Sequence, residues 1–359
     1  MTDPHAIVIG GGQAGLAATR TLLARGLRPV LLEAGAEPVG SWPRYYDSLT
    51  LFSPARYSSL PGLPVPGDPD HYPHRDEVVD YLRRYAARLD ADIRTHHRVT
   101  TVTHDGDGFT VRTAHGATFA APAVIAATGG SSRPHRPALP GLDRFTGTVL
   151  HSAEYRTPEP FAGQRVIVVG AGNSAVQIAA ELAAHATVTL ATRTPVRFAP
   201  QRTLGRDVHF WSTTVGFDHL PIGPLLRAKP ASPVLDAGVY RAAIVAGRPD
   251  QRRLFTHIEG STVHWADGST DEVDTIILAT GFRPEVSYLD GTGALKDGQP
   301  RQSPGLSTTV PGLGYVGLEW QRSFASATLR GVGRDAAYVV ARLATTMSPA
   351  RRRCCQPVG

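Results

Sequence analysis

Two unbroken apolar runs are each followed at once by a glycine cluster. Ala6-Ile7-Val8-Ile9 leads into Gly10-Gly11-Gly12-Gln13-Ala14-Gly15, and Val166-Ile167-Val168-Val169 into Gly170-Ala171-Gly172-Asn173-Ser174-Ala175. A β-branched run with no polar alternation predicts a strand buried on both faces, as in a parallel sheet. After each cluster the apolar period lengthens to that of a helix, and a second apolar run follows. The first helix is expected to end at Gly26, a residue suited to the left-handed position past a helix C-terminus, before the strand Pro29-Val30-Leu31-Leu32-Glu33. Each cluster therefore sits in a strand–turn–helix–strand unit.

The pattern between these units is less regular. Residues 37–73 are rich in Pro, Tyr and Ser and follow no helix or strand period. So long an irregular stretch in an enzyme is commonly functional. Residues 75–89 predict a helix with Val78, Val79, Leu82, Tyr85 and Leu89 on one face. From Arg98 to Val124 the alternation predicts a small meander, opened by Val99, with turns at Asp105-Gly106-Asp107-Gly108 and His115-Gly116. It ends in Val124-Ile125-Ala126-Ala127-Thr128-Gly129, echoed late in the chain by Ile276-Ile277-Leu278-Ala279-Thr280-Gly281. Two strands with the same A-T-G ending, one after each glycine cluster, predict a duplicated architecture, each strand returning to its sheet and ending beside its nucleotide.

The expected fold is α/β. It has two Rossmann-like dinucleotide-binding domains of the three-layer ββα type, the second inserted into the first. The boundaries read as 1–158 for the first part of domain one and 159–282 for domain two. Residues 283–345 return to domain one, and 346–359 form a tail. Within domain two, residues 199–253 are poor in strand signal and are expected to form an insertion over the active site. A helix is expected to start near Ser326.

Glycine clusters of this kind bind dinucleotides for steric reasons. The first Gly makes the tight turn, the second lets backbone approach the pyrophosphate, and a small third residue lets helix pack on strand. Gly15 and Ala175 both satisfy the third requirement. The helix N-terminus then offers free N–H groups to the phosphates. Glu33 and Arg193 each lie 23 positions beyond the first glycine of their cluster. A carboxylate there accepts a hydrogen bond from a ribose 2′-hydroxyl, whereas a guanidinium suits a 2′-phosphate. Two different dinucleotides are thus expected, the second of the NADP type.

Composition narrows the chemistry. The 359 residues carry a formal charge of +6, with Lys229 and Lys296 the only lysines. The arginines are scattered, apart from Arg351-Arg352-Arg353, so no nucleic-acid stripe is read. No apolar run reaches the roughly twenty residues of a membrane span, and no secretory leader is read, so a cytoplasmic location is expected. The only cysteines are Cys354 and Cys355, in the tail. No redox pair such as C-x-x-C lies near either glycine cluster, which excludes thiol–disulfide chemistry. His71, His74, His96 and His97 lack ligand spacing, and no metal site is expected.

With these residues in place, the chain resembles the class B flavin-dependent monooxygenases, in particular the short bacterial branch related to plant auxin-forming and arsenic-linked flavin monooxygenases. Phe145-x-Gly147-x-x-x-His151-Ser152-x-x-Tyr155 matches the motif that identifies such enzymes. Tyr46-Asp47-Ser48-Leu49, the segment Ser53 to Pro61, Tyr72-Pro73-x-Arg75-x-Glu77-Val78 and the late Ala279-Thr280-Gly281-Phe282 also fit. Gly40 and Trp42 occupy two places of a G-G-x-W pattern whose first glycine is Val39.

The resemblance implies FAD on the first unit, with Gly10, Gly12, Gln13, Ala14, Gly15, Glu33, Gly40, Trp42, Ser53, Val99, Thr128, Gly129 and Ser326 beside it. It implies NADPH on the second, with Gly170, Gly172, Asn173, Ser174, Arg193, Thr280 and Gly281. It further implies an NADPH- and O2-using reaction, passing through a flavin hydroperoxide, that inserts one oxygen atom into a small organic substrate. No protein nucleophile is needed. Phe52, Ser53 and Trp211 are the candidates nearest the chemistry, and Trp42, Tyr45, Tyr46, Phe52, Phe210 and Trp211 a candidate apolar wall. His151 is expected at the domain junction rather than as an acid–base group.

Phe52 stands where many members of the wider family have asparagine, and Arg156 follows Tyr155 where Baeyer–Villiger members have Pro or Asp. The first departure keeps an NADPH oxidase or flavin reductase open as an alternative. A regulatory nucleotide-binding flavoprotein is also open. A homodimer is compatible with all three readings.

Overall fold

The computed structural model describes residues 4–226 and 232–347. Lys229, the Arg351-Arg352-Arg353 run and the Cys354-Cys355 tail lie outside them.

The apolar runs form the centres of two parallel five-stranded sheets. In the first, the order is Leu313–Tyr315, Val124–Ala126, Ala6–Ile9, Pro29–Leu32, Asp92–Arg94. In the second it is Asp250–Arg253, Thr187–Thr192, Arg165–Val169, Thr275–Leu278, Thr148–His151. Each glycine cluster opens a helix, Gln13–Leu23 in one and Asn173–Leu182 in the other. The first helix closes with Gly26 at φ +71°.

Both sheets are covered on both faces, which is why their strands carry no polar alternation. Ala6 and Val8 pack on the helix side with Leu16, Leu22, Val78, Leu82, Val332 and Val340. Ile7 and Ile9 pack on the opposite side with Val102, Phe109 and Val111. Those last three belong to the antiparallel meander Val99–His104, Phe109–Thr113, Thr118–Ala121. The second sheet repeats the scheme. Val166 and Val168 face Val176 and Ile178, while Ile167 and Val169 face Val263, Trp265 and Val273 around the meander His257–Glu259, Thr262–His264, Thr270–Glu272.

Four expectations about extent change. The strand Thr148–His151 pairs with Thr275–Leu278, so the second sheet draws on residues upstream of 159. It lies at a sheet edge, where its alternating pattern gives no sign of membership. The strand Asp250–Arg253 is the opposite edge of that sheet, so the insertion ends before it. The last helix begins at Leu329, not near Ser326. Ser326 is fully buried, and its hydroxyl accepts the backbone N–H groups of Arg322 and Ser323, closing the turn ahead of the helix. The 75–89 helix runs Arg75–Ala86.

Candidate functional site

A cavity of about 490 Å³ opens over the first glycine cluster. It runs from Gly10, Gly12, Gln13 and Ala14 along Glu33, past Gly40 and Trp42, to Val99, Thr128 and Gly129. Ten of the expected flavin-side residues therefore line one continuous space. Gly15 does not, because it lies in the helix on the face turned to the strand. A Cβ built on it would sit 1.8 Å from the Gly10 carbonyl oxygen, so only glycine allows this helix so close to its strand. Ser53 and Ser326 also lie off the cavity. Ser53 is buried and hydrogen-bonded to Ser58.

The lining is held by bonds that fix its shape. Glu33 is buried, and its carboxylate accepts the N–H groups of Gly11 and Gly35, both at 2.6 Å. Trp42 donates its indole N–H to Gln13 (2.9 Å), and Gln13 in turn reaches the Ala327 carbonyl. Thr128 donates to the Glu285 carbonyl at 2.8 Å, tying the A-T-G strand end to the returning segment. Both clusters meet an A-T-G end in the same way. A Cβ on Gly10 would strike the Ala127 carbonyl oxygen at 2.8 Å, and one on Gly170 the Ala279 carbonyl oxygen at 2.3 Å.

The second cluster is more open. A Cβ on Gly172 would meet nothing within 4 Å. The Asn173 side-chain oxygen, at the helix start, is buried without a hydrogen-bond partner among the described residues. Amide O and N are interchangeable by a flip, so this group can turn N–H toward an anion. Arg193 follows the strand Thr187–Thr192, is exposed, and has no ion pair among the described residues. Thr280 donates to the His135 carbonyl, and Gly281 accepts the His135 N–H (2.9 Å).

His151 anchors this junction. It is fully buried; its Nδ1 accepts the Ala153 N–H and its Nε2 contacts the Gly281 carbonyl at 3.0 Å. An acceptor role at Nδ1 leaves Nε2–H as the donor, so both ring nitrogens are committed in the neutral form. Burial depresses its pKa below 6.5, with Arg136 and His135 adding to the fall, although the Gly281 bond and Glu154 oppose it. Gly147 is sterically required: a Cβ there would lie 2.4 Å from the Asp274 carbonyl oxygen. Arg156 donates to the Pro43 and Tyr45 carbonyls, tying the linker to the irregular stretch.

The expected aromatic wall divides. Tyr46 is buried in the core of the second unit against Tyr155, and its hydroxyl donates to Gln177, so it is a docking residue. Trp42 and Tyr45 flank the cavity edge-to-face at 5.6 Å. Phe52, Phe210 and Trp211 do not line the cavity. Trp211 donates to the Thr203 carbonyl and packs edge-on against Phe210.

Phe52 instead meets the insertion through His209, with ring centroids 6.1 Å apart. Sequence reasoning missed this group. Asp207 caps the helix Val208–Thr214 by accepting the His209 N–H. Its carboxylate also takes the His209 ring at 2.7 Å, the Tyr72 hydroxyl and the Gln201 amide. Burial works against the Asp207 charge, but these hydrogen bonds outweigh it and pull the pKa down to about 2. The signal was an Asp two residues ahead of a His at a helix start.

A second missed contact is the buried pair Arg330–Asp218 (2.9 Å), which fastens the insertion to the last helix.

Comparison with known proteins places this geometry. Residues 7–213 match the pyridine nucleotide-disulphide oxidoreductase family. An uncharacterized CzcO-like oxidoreductase of Geobacillus kaustophilus is 32% identical over 93% of this chain and 96% of its own length. The rice indole-3-pyruvate monooxygenase YUCCA1 is 32% identical over 81% of this chain and 80% of its own. Among solved structures, the flavin-containing monooxygenase of Stenotrophomonas maltophilia superposes with a TM-score of 0.84 at 34% identity, covering 97% of this chain and all of its own. No helix among the described residues is long and apolar enough to cross a membrane. The chain belongs to the pyridine nucleotide-disulphide oxidoreductase family and, within it, to the class B flavin-dependent monooxygenases, whose cofactors are FAD and NADPH.

Proposed function

We propose that this chain is an FAD-containing monooxygenase that uses NADPH and O2 to insert one oxygen atom into a small, electron-rich organic substrate. On this reading the two sheet units are Rossmann-like domains, the second inserted into the first, with FAD on the first and NADPH on the second. The observation that carries the reading is the single cavity joining the first glycine cluster to Glu33 and to the Thr128-Gly129 strand end.

Bound FAD would supply hydride acceptance and oxygen activation. The chain's own residues do the rest. The backbone N–H groups of Gly12 and Gln13, at the helix start, bind the pyrophosphate, since those of Gly10 and Gly11 already donate to the Leu32 carbonyl and to Glu33. Glu33 is held by Gly11 and Gly35, with lone pairs left over to accept from a ribose hydroxyl. Gln13, pinned by Trp42 and Ala327, fixes the cavity wall. Arg193, unpaired and exposed, receives a 2′-phosphate. The 45–66 segment and the insertion ahead of Asp250 exclude water over the reacting centre, with His209, oriented by Asp207, packing the two together through Phe52.

The purified protein is expected to be yellow, to bleach with NADPH anaerobically, and to couple NADPH oxidation to substrate oxygenation. Trp211→Ala is expected to lower that coupling more than it lowers flavin reduction; an equal fall in both would remove the insertion from the substrate site. Phe52, 39% exposed and without a hydrogen-bonding group, favours one second reading, an NADPH oxidase. Stoichiometric peroxide across a broad panel of sulfide, amine and keto-acid substrates would establish that alternative.

A further inference from the structure

We propose that His257, Glu259 and His264, on the outer face of the second meander, form a binding site for one divalent transition-metal ion of the zinc, nickel or copper type. The site revises the expectation of no metal, and none of its residues lines the cavity over the first glycine cluster.

Strand register builds it. His257 pairs directly with His264 across the antiparallel ladder, and Glu259 pairs with Thr262. Side chains alternate along a strand, so His257 and Glu259 share one face, and their cross-strand partners share it too. The intervening Ile258 and Val263 are buried, which turns the His–Glu–His face outward.

The ligand atoms are already close. Both histidine Nε2 atoms approach the one carboxylate, at 3.7 Å and 3.8 Å, and all three ligand atoms lie within 4.8 Å of one another. A tetrahedral ion with bonds of about 2.0–2.2 Å needs its ligands roughly 3.3 Å apart. Side-chain rotations alone close that gap, because the two rings already stack at 4.1 Å and 11°.

Two further features point to a ligand. The Nε2 of His264 is buried without a hydrogen-bond partner among the described residues. Thr256 Oγ1 donates to the His264 carbonyl at 3.0 Å and contacts His257 Nδ1 at 3.2 Å. A hydroxyl has one proton, so with that proton on the carbonyl it accepts from His257 Nδ1–H. The neutral ring then presents its Nε2 lone pair toward Glu259, as metal-binding histidines are oriented by an outer partner. The nearby Glu272 is held by Ser261 and Thr262 and is not free to ligate. Two imidazoles and one carboxylate favour borderline ions over Mg2+ or Ca2+, with water completing the shell.

The test uses chelator-treated, FAD-loaded protein titrated with ZnCl2 by calorimetry, and with CoCl2 by visible absorption at wavelengths beyond the flavin bands. One ion per chain is expected, with tetrahedral Co2+ absorption and no response to MgCl2. His257→Ala and His264→Ala are each expected to weaken binding at least tenfold, while His71→Ala, at an exposed His–Glu pair, leaves it unchanged. Flavin content and circular dichroism, unchanged in all variants, report that each is folded. Absence of saturable Zn2+ binding, or binding that survives both histidine variants, would overturn the site.

Discussion

The two glycine clusters follow the same path through the same three layers, yet they are packed to different tolerances. In the first, Gly15 has no room for a methyl group against the Gly10 carbonyl. In the second, Ala175 occupies the same place, and its methyl would meet a Cβ on Gly170 at 3.1 Å. The first cradle is walled by the irregular stretch, the first meander and the returning segment, and its acid is buried under two backbone N–H groups. The second leaves Gly172 in open space and Arg193 exposed. A closed cradle suits a cofactor that stays through many turnovers. An open one suits a nucleotide that must enter and leave. The fold supplies the frame twice; the neighbouring segments decide how closed each cradle is.

The harshest way to break this comparison is to exchange the third residues. Gly15→Ala places a carbon within 2 Å of backbone oxygen, which no side-chain rotation relieves. The variant is expected to lose flavin and cooperative unfolding together. Ala175→Gly adds the helix penalty of about 1 kcal/mol and the loss of one buried methyl, and keeps the flavin. Thermal melts with the flavin-to-protein absorbance ratio read both. A Gly15→Ala protein that is yellow with an unchanged Tm would erase the difference between the clusters.

A milder exchange separates the cradle from the fold. A Cβ on Gly12 would meet only Gly40 Cα, at an ordinary 3.5 Å. Gly12→Val is therefore expected to fold, by circular dichroism, but to purify largely free of flavin, because the branch occupies the pyrophosphate's approach. Full occupancy would remove Gly12 from the cradle.

The duplicated frame was legible because it is written locally. The apolar runs, the glycine spacing, the meanders and the paired A-T-G endings each fall within a few dozen residues. Contacts between distant segments leave no such trace. Nothing around Tyr46 shows that it docks in the core of the second unit, more than 100 residues away. A helix start is expected near Ser326 because small polar residues commonly precede helices. Here its hydroxyl is spent on the turn before the helix. The insertion reads as loop because its order comes from buried long-range bonds, Asp207 to Tyr72 and Asp218 to Arg330, rather than from periodicity. The grouping of His257, Glu259 and His264 escaped because it depends on cross-strand register, which spacing alone does not fix.

On the second cluster, the comparison turns on Arg193. A hydrogen bond to a charged group contributes about 1.5–3 kcal/mol, and exposure places this one at the low end. Arg193→Ala is expected to raise the NADPH KM about tenfold, the factor that corresponds to roughly 1.4 kcal/mol, and to leave the NADH KM within about twofold. Equal effects on both coenzymes would hand the 2′-phosphate to Arg197 or Arg202 and would sever the symmetry with Glu33.

The smallest expected effect lies where the two units join. His151 is buried at the end of the edge strand of the second sheet, with both nitrogens bonded in the neutral form and its pKa below 6.5. The unfolded chain binds a proton there more readily than the folded one. Folding stability from this residue is therefore fully present above pH 6.5 and declines as the pH falls through the lower folded value. His5 and His219 shift in the same direction, so part of the decline persists without His151. The Tm of wild type is expected to fall between pH 7.5 and pH 5.5. His151→Gln, which is uncharged across that range, is expected to start lower at pH 7.5 but to fall less. A variant whose Tm drops as steeply as wild type would show that the junction does not titrate through His151, and that the acid sensitivity belongs to groups such as His5 and His219 rather than to the link between the two units.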